Sequence, residues 1–187
     1  LLGLTAGANA ALALTIALFP NANYFSMTIA CFIGAAAGAF LVFGIGAVKK
    51  GRISPFQIVL AGAAVSAFLF AVAEGISLYF NIYKNVSMWT AGGLVGATWK
   101  QLKILIPIAL VGITISIFFS RQLTIVSLNE EVAVGLGQKT AQIKMVLFII
   151  IILLTGASVA LVGNMAFIGL MVPHIVRSVV GADYRYI

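Results

Sequence analysis

Long apolar runs separated by short polar segments are the main pattern of this chain. The runs occupy residues 1–19, 24–48, 55–80, 102–120 and 145–163. Because a helix rises ~1.5 Å per residue, each run is long enough to cross ~30 Å of membrane hydrocarbon. The pattern predicts an all-α fold, a polytopic transmembrane helical bundle with five full spans.

A sixth apolar run, residues 165–177, is too short to cross a membrane. It holds Pro173 near its middle and follows Gly163 and Asn164. We predict a short broken helix packed inside the protein, where neighbouring groups satisfy the backbone atoms that the break leaves unpaired.

Basic residues at the ends of the runs predict the orientation, since Lys and Arg are enriched in cytoplasmic loops. The larger of two alternating sets is Lys49, Lys50, Arg52, Arg121, Lys139, Lys144, Arg177 and Arg185. The smaller set is Lys84, Lys100 and Lys103. Eight residues against three place the larger set, and the opening of the chain, on the cytoplasmic side.

Composition narrows the possible functions. The chain has 187 residues, of which 63% are hydrophobic and 8% charged, and this composition is typical of a protein of the lipid bilayer. Its formal net charge of +7 is spread over loops, which favours membrane anchoring over nucleic-acid binding. The sequence contains no Walker A, HExxH or GxSxG pattern, so we expect no enzyme activity, cofactor or metal site.

Three isolated polar residues lie in or near the apolar runs. Cys31 is the single cysteine, so it has no disulfide partner within the chain. Glu74 lies about 28 Å along its helix from Pro55, near the outer headgroups. A solvated position is favoured for Glu74, and the alternatives are the lining of an outward cavity and ion or proton coupling. His174 has no neighbours for metal or acid–base chemistry and is interpreted as structural, bonding to backbone near the broken helix.

Small residues recur at a spacing of four. Gly34 and Gly38 form one such pair, and Gly62 and Ser66 form another. Small residues let transmembrane helices approach closely. We expect them to pack helices within the chain, with a face for a second copy as the alternative.

The polar segment at residues 127–144 separates the last two long runs. Ser127 and Glu130 have the spacing of a capping box, and Val132 and Leu136 share one helix face. These features predict a helix of about two turns in a cytoplasmic loop. A helix this short is marginal alone in water, so it rests either on its own spans or on another protein.

Several segments, in order, resemble the FecCD family, the permease subunits of ATP-binding-cassette (ABC) importers for ferric siderophores, haem and vitamin B12. They are "LLGLTAGA", "ISPFQIVLAGAAVSA", "MWTAGGLVGATWKQL", "LNEEVAVGLGQKTAQIK" and "VALVGNMAFIGLMVPHIVRSVVGADYR". The last two are the most specific. The family's usual glycine is Asn129 here, and about two family helices at each end are absent. We therefore expect residues 1–187 to be an internal portion of a single transmembrane permease domain.

The resemblance implies a multi-pass subunit of a type II ABC importer in the bacterial cell membrane. Its implied partners are a second permease subunit in a homo- or heterodimer, cytoplasmic ABC ATPases and an extracellular substrate-binding protein. The implied substrate is a ferric siderophore, with haem or vitamin B12 as alternatives. From the residues alone, an ion- or proton-coupled secondary transporter remains the alternative class.

The resemblance also implies site residues. The ATPase-coupling helix corresponds to Asn129, Glu130, Glu131, Val132, Ala133, Leu136 and Gly137. The cytoplasmic gate beside the pathway corresponds to Leu2, Thr5, Asn9, Ser54, Pro55 and Gln57. The broken-helix motif comprises Gly163, Pro173, His174 and Arg177. Ordinary helix starts, with Pro55 favoured in a first turn, remain the alternative for the gate positions.

Overall fold

The computed structural model describes residues 3–47, 55–91, 98–128, 140–164 and 168–180. All regular secondary structure in these ranges is helical. The helices are α1 (Leu4–Leu18), α2 (Tyr24–Ala47), α3 (Pro55–Tyr79), α4 (Tyr83–Thr90), α5 (Trp99–Leu128), α6 (Thr140–Val162) and α7 (Ile168–Val180). The predicted all-α bundle is confirmed.

Four of the described helices, α2, α3, α5 and α6, are long and apolar enough to cross a membrane. The first predicted span is shorter than expected, because α1 has 15 residues and a length of about 22 Å. Gly3 precedes α1 in the left-handed conformation, with φ 71°, and Pro20 follows it. Since proline cannot continue a helix, α1 is bounded at both ends. The prediction of five full spans is corrected to four long helices and one shorter helix.

Helix α1 lies at the centre of the bundle. It contacts α2, α3, α4 and α6, and the side chains of Ala6, Ala8, Leu12 and Ala13 are fully buried. Because other helices cover most of α1, and only its C-terminal part exposes Leu14 and Leu18, its length does not have to match the thickness of the membrane. A short central helix is therefore compatible with a membrane protein.

Glycines bring α1 and α2 into backbone contact. A Cβ atom added to Gly7 would overlap the carbonyl oxygen of Gly34, and one added to Gly38 would overlap that of Gly3. Apolar burial contributes little to helix association in lipid, so close backbone packing takes its place. The predicted packing role of Gly34 and Gly38 within the chain is confirmed.

Hydroxyl groups inside the apolar helices are satisfied locally. Thr28 donates to the carbonyl of Tyr24 at 2.9 Å, and Ser66 donates to that of Gly62 at 2.7 Å. This bond to the preceding turn removes an unpaired donor from the apolar interior without needing another helix.

Left-handed residues end α3 and α6. Asn81 has φ 54°, and the N–H of Ile82 donates to the carbonyl of Ser77 at 2.9 Å, which is the Schellman pattern. Gly163 has φ 78°, and its N–H donates to the carbonyl of Val159 at 3.0 Å. The first ending turns the chain directly into α4.

The long helices leave wide apolar surfaces outside the bundle. On α3, Phe56 and Phe68 are exposed, and on α5, Ile117 and Phe118 are exposed. Large exposed apolar surfaces are typical of helices that face lipid or a partner subunit. The chain is a multi-pass membrane protein.

One helix boundary differs from the prediction at the polar segment. Helix α5 continues to Leu128, so Ser127 lies in its last turn, and α6 begins at Thr140. An N-cap residue lies outside the helical conformation. The predicted capping box at Ser127 is therefore wrong, and the interval between α5 and α6 is narrower than residues 127–144.

Candidate functional site: a polar cavity beneath α4

A cavity of about 290 Å³ lies where α1, α3, α4 and the end of α6 meet. It is at the end of the bundle where α3 ends, which the charge pattern predicts to be extracellular. Its polar lining residues are Asn9, Glu74, Ser77, Tyr83, Ser87, Thr90 and Asn164. The apolar bundle thus contains one concentrated group of polar side chains on this side of α1.

The endings of α3 and α6 position this cavity. The turn at Asn81 sets α4 across the end of α3, and Val86 anchors α4 in the main apolar core. Beyond Gly163, the N–H of Asn164 donates to the carbonyl of Thr90 at 3.4 Å. This bond ties the end of α6 to the last turn of α4 and closes one side of the cavity.

Asn9 is the most unusual residue of the lining. It is 1% exposed, and neither its Nδ2 nor its Oδ1 has a hydrogen-bond partner among the described residues. A buried amide without partners costs ~1–3 kcal/mol. Asn164 Oδ1 is likewise buried without a partner in the described chain. Both side chains line the cavity, so they are available to something that enters it.

Glu74 supplies the negative charge of the lining. Its side chain is exposed and lines the cavity. Among the three interpretations made from the sequence, the structure combines the solvated position with the lining of a cavity. Among the described residues, no Lys or Arg belongs to the lining.

A further unpaired polar atom lies in α4. The Trp89 indole N–H is buried without a partner in the described residues, and the Trp89 ring centroid is 6.4 Å from that of Tyr24. Sequence reasoning missed Ser77, Trp89 and Asn164 as members of this region. The signal for Asn164 was its position directly after Gly163, since a left-handed glycine at a helix end redirects the chain.

The predicted gate residues are only partly within the described chain. Thr5 is half-buried in the first turn of α1, and Gln57 is exposed in the first turn of α3. Pro55 begins α3, as the alternative of an ordinary helix start expects. Asn9 lies in the cavity with Glu74 and away from Gln57's end of α3. Leu2 and Ser54 lie outside the described residues, and the gate assignment stays a prediction.

The broken-helix motif forms as a separate helix. Gly163 is buried and left-handed, and α7 contains Pro173, His174 and Arg177. However, the expectation that this helix packs inside the protein is not met within this chain, because Met171 and Ile175 are more than half exposed, at 58% and 54%.

The side chain of His174 is exposed and forms no hydrogen bond with any residue that the structure describes. The backbone at the break, residues 165–167, lies outside the described residues. The interpretation of a histidine bonding to nearby backbone therefore stays a prediction. The broken helix presents His174 outward because α7 has no close covering helix in the described chain.

The predicted coupling helix falls outside the described residues. Its members are Asn129, Glu130, Glu131, Val132, Ala133, Leu136 and Gly137. Their assignment stays a prediction. The flanking helices α5 and α6 pack against each other, so both ends of the intervening segment lie at the same end of the bundle.

Known proteins are similar in sequence to this chain over its full length. The chain is 38% identical over 187 residues to the iron(3+)-hydroxamate import system permease protein FhuB of Bacillus subtilis (strain 168), covering 100% of this chain and 49% of that relative. It is 37% identical over 188 residues to the ferric enterobactin transport system permease protein FepD of Escherichia coli (strain K12), covering 100% of this chain and 56% of that relative. The chain spans about half the length of these curated relatives.

A solved structure shares the fold. It is described as an inward-facing conformation of a putative metal-chelate type ABC transporter, and it superposes with a TM-score of 0.84 at 22% sequence identity. The match covers 99% of this chain and 59% of the other. A profile of the FecCD transport family matches residues 1–187. The chain belongs to the FecCD transport family.

Proposed function

We propose that this chain is part of the permease subunit of an ABC importer that moves a ferric siderophore across the bacterial cell membrane. The observation that carries the proposal is the family match over residues 1–187. The names of the two relatives, both permeases of iron-chelate import systems, support the choice of substrate. Haem and vitamin B12 are the alternative substrates.

The cavity beneath α4 does not by itself provide a pathway for an iron chelate. Small-molecule sites typically have volumes of ~300–1,000 Å³, and the cavity beneath α4 is about 290 Å³. It is too small to enclose a bulky iron chelate. A second permease subunit, in a homo- or heterodimer, would form the pathway, and the exposed apolar faces of α3 and α5 are available for such contact.

Energy for import would come from partner ATPases. The permease would couple to them through the segment that contains Glu131, Val132 and Leu136. In an amphipathic helix, Val132 and Leu136 would face the ATPase groove, and the acids would lie near its basic rim.

Pull-down of the complete importer with its ATPase tests this coupling. Glu131→Arg, or replacement of Val132 and Leu136 by Asp, should reduce complex formation and substrate-stimulated ATP hydrolysis. A matched control is Asn85→Arg, a charge change at an exposed residue of α4 on the opposite side. Unchanged complex formation and hydrolysis in the segment variants would refute the coupling assignment.

The substrate is tested on the partner binding protein. Purified binding protein should bind a ferric siderophore more tightly than haem or vitamin B12 when the three are titrated separately. Tighter binding of haem or vitamin B12 would change the substrate and leave the permease assignment intact.

The alternative of an ion- or proton-coupled secondary transporter is not favoured by the family. Uptake should stop when the ATPase is inactivated. Uptake that survives this inactivation but collapses with the proton gradient would favour the alternative.

A further inference from the structure

Two hydroxyl groups of the cavity, those of Ser77 and Thr90, have their protons engaged within their own helices. Ser77 donates to the carbonyl of Ala73 at 2.7 Å, and Thr90 donates to that of Ser87 at 3.3 Å. A hydroxyl whose proton is engaged in this way offers only its oxygen lone pairs to a ligand. Ser77 and Thr90 therefore present acceptors to the cavity.

Other polar groups add acceptor oxygens to the lining, while the hydroxyls of Tyr83 and Ser87 remain able to donate. The backbone N–H of Asn164 is bound to Thr90, while its Oδ1 is buried without a partner among the described residues. An ionised Glu74 carboxylate only accepts hydrogen bonds. The amide of Asn9 brings one unpaired NH₂ group together with one unpaired oxygen. The lining thus offers oxygens and a negative charge, which favours an electron-poor ligand.

The charge of the lining and the types of its coordinating atoms further restrict which molecule or ion can bind. Glu74 is the one charged residue among the described residues of the lining, so a single positive charge balances it. In the described chain, no cluster of three or more His, Cys, Asp or Glu residues could hold a metal ion. Transition metals prefer imidazole or thiolate ligands, whereas hard cations accept amide, hydroxyl and carboxylate oxygens. A hard monovalent cation fits this set.

The volume is compatible with such an ion and part of its water shell. The cavity holds about 290 Å³, and a water molecule occupies ~30 Å³ in the liquid. Several waters can therefore complete the coordination of an ion that binds the protein oxygens on one side.

We propose that the cavity beneath α4 binds a small monovalent alkali cation, such as sodium, through oxygens of Asn9, Ser77, Glu74 and Asn164. The bound ion links α1, α3 and the segment after α6, which approach one another here without a direct hydrogen bond between these side chains in the described chain. It acts as a stabilising ligand of the extracellular end. The proposal rests on the cavity and is independent of the import function.

The first experiment measures the thermal unfolding midpoint of the full-length protein in lipid nanodiscs. Sodium chloride replaces choline chloride at constant ionic strength, so that only the identity of the cation changes. We expect a saturable rise of about 3 °C or more in sodium, because a ligand that binds only the folded state stabilises it. Equal midpoints in sodium and choline would mean that water alone occupies the cavity and would overturn the proposal.

The second experiment measures binding of radioactive sodium to wild-type protein and three variants. Glu74→Gln removes the charge of the lining and should raise the dissociation constant about tenfold or more. Ser77→Ala removes one acceptor oxygen and should raise it several-fold.

The matched control is Ser66→Ala. Ser66 lies in the same helix and donates to the preceding turn at the same 2.7 Å distance as Ser77, but it does not line the cavity. Its dissociation constant for sodium should equal that of the wild type. The proposal is refuted if Ser66→Ala weakens binding as much as Ser77→Ala, or if Glu74→Gln binds sodium normally.

Discussion

Two sides of α1 differ in how they meet their neighbours. Towards α2, Gly3 and Gly7 place backbone directly against the backbone of Gly34 and Gly38. Towards α3 and α4, Asn9 faces a cavity in which its amide has no partner among the described residues. The backbone contact with α2 holds α1 in place. The side of α1 that faces α3 and α4 can therefore keep an open polar cavity, which contributes no packing energy.

Breaking the backbone contact between α1 and α2 should lower the free energy of unfolding more than any other change considered below. Gly34→Ala places a Cβ against the carbonyl oxygen of Gly7 and the side chain of Ala11. Because backbone cannot rotate away, the two helices must separate, and we expect a loss of about 2 kcal/mol in the free energy of unfolding. Unfolding of the protein in mixed micelles with increasing denaturing detergent measures this value.

The control for that variant is Gly44→Ala in the same helix. A Cβ at Gly44 meets nothing within 4 Å, and alanine favours helix formation more than glycine does. Its free energy of unfolding should be unchanged or slightly higher. Equal losses at both positions would mean that helix propensity, rather than the α1–α2 contact, determines the result.

Replacing Asn9 on the cavity side of α1 should change the free energy of unfolding by a smaller amount and in the opposite direction. Asn9→Leu replaces an unpaired buried amide by an apolar side chain beside free volume. In choline chloride we expect the free energy of unfolding to stay equal or to increase by about 1 kcal/mol. In sodium chloride the variant should lack the stabilisation expected of the wild type.

Asn85→Leu serves as the control, because Asn85 is exposed on α4 and does not line the cavity. It should change the free energy of unfolding by less than about 0.5 kcal/mol in either salt. A loss of more than 1 kcal/mol for Asn9→Leu in choline would contradict the view that its amide is unpaired.

The smallest change in the free energy of unfolding is expected for a glycine-to-alanine substitution at a position where the new Cβ would contact a side chain instead of backbone. A Cβ at Gly112 in α5 would lie 2.7 Å from Cδ2 of Leu154 in α6. The end of a leucine side chain can rotate away, so Gly112→Ala should cost less than about 1 kcal/mol. Detergent-induced unfolding of both the single variant and a Gly112→Ala, Leu154→Ala double variant measures this.

In the Leu154→Ala background, the cost of Gly112→Ala should disappear, since the atoms it meets are gone. A cost that persists there would place the strain in the backbone of α5. The contrast between Gly34 and Gly112 would then no longer depend on what each glycine touches.

Much of the fold follows from local chemistry. Apolar runs of the right length predicted α2, α3, α5 and α6, and Gly163 with Asn164 predicted the interruption before α7. The misplaced cap at Ser127 shows the limit of such motifs, because a helix already under way can continue through a residue that is also suitable for starting one.

The sequence by itself determined that the chain spans a membrane as helices, since an apolar run in lipid must satisfy its backbone hydrogen bonds within each segment. It also determined family membership, which requires only ordered similarity. Only the tertiary structure decided that α1 is central, that Gly34 meets Gly7, and that Asn9, Glu74, Ser77 and Asn164 share one cavity. Apart from Glu74 and Ser77, which lie in one helix, these residues are far apart along the chain. Their meeting depends on how several helices pack together, which no local pattern specifies.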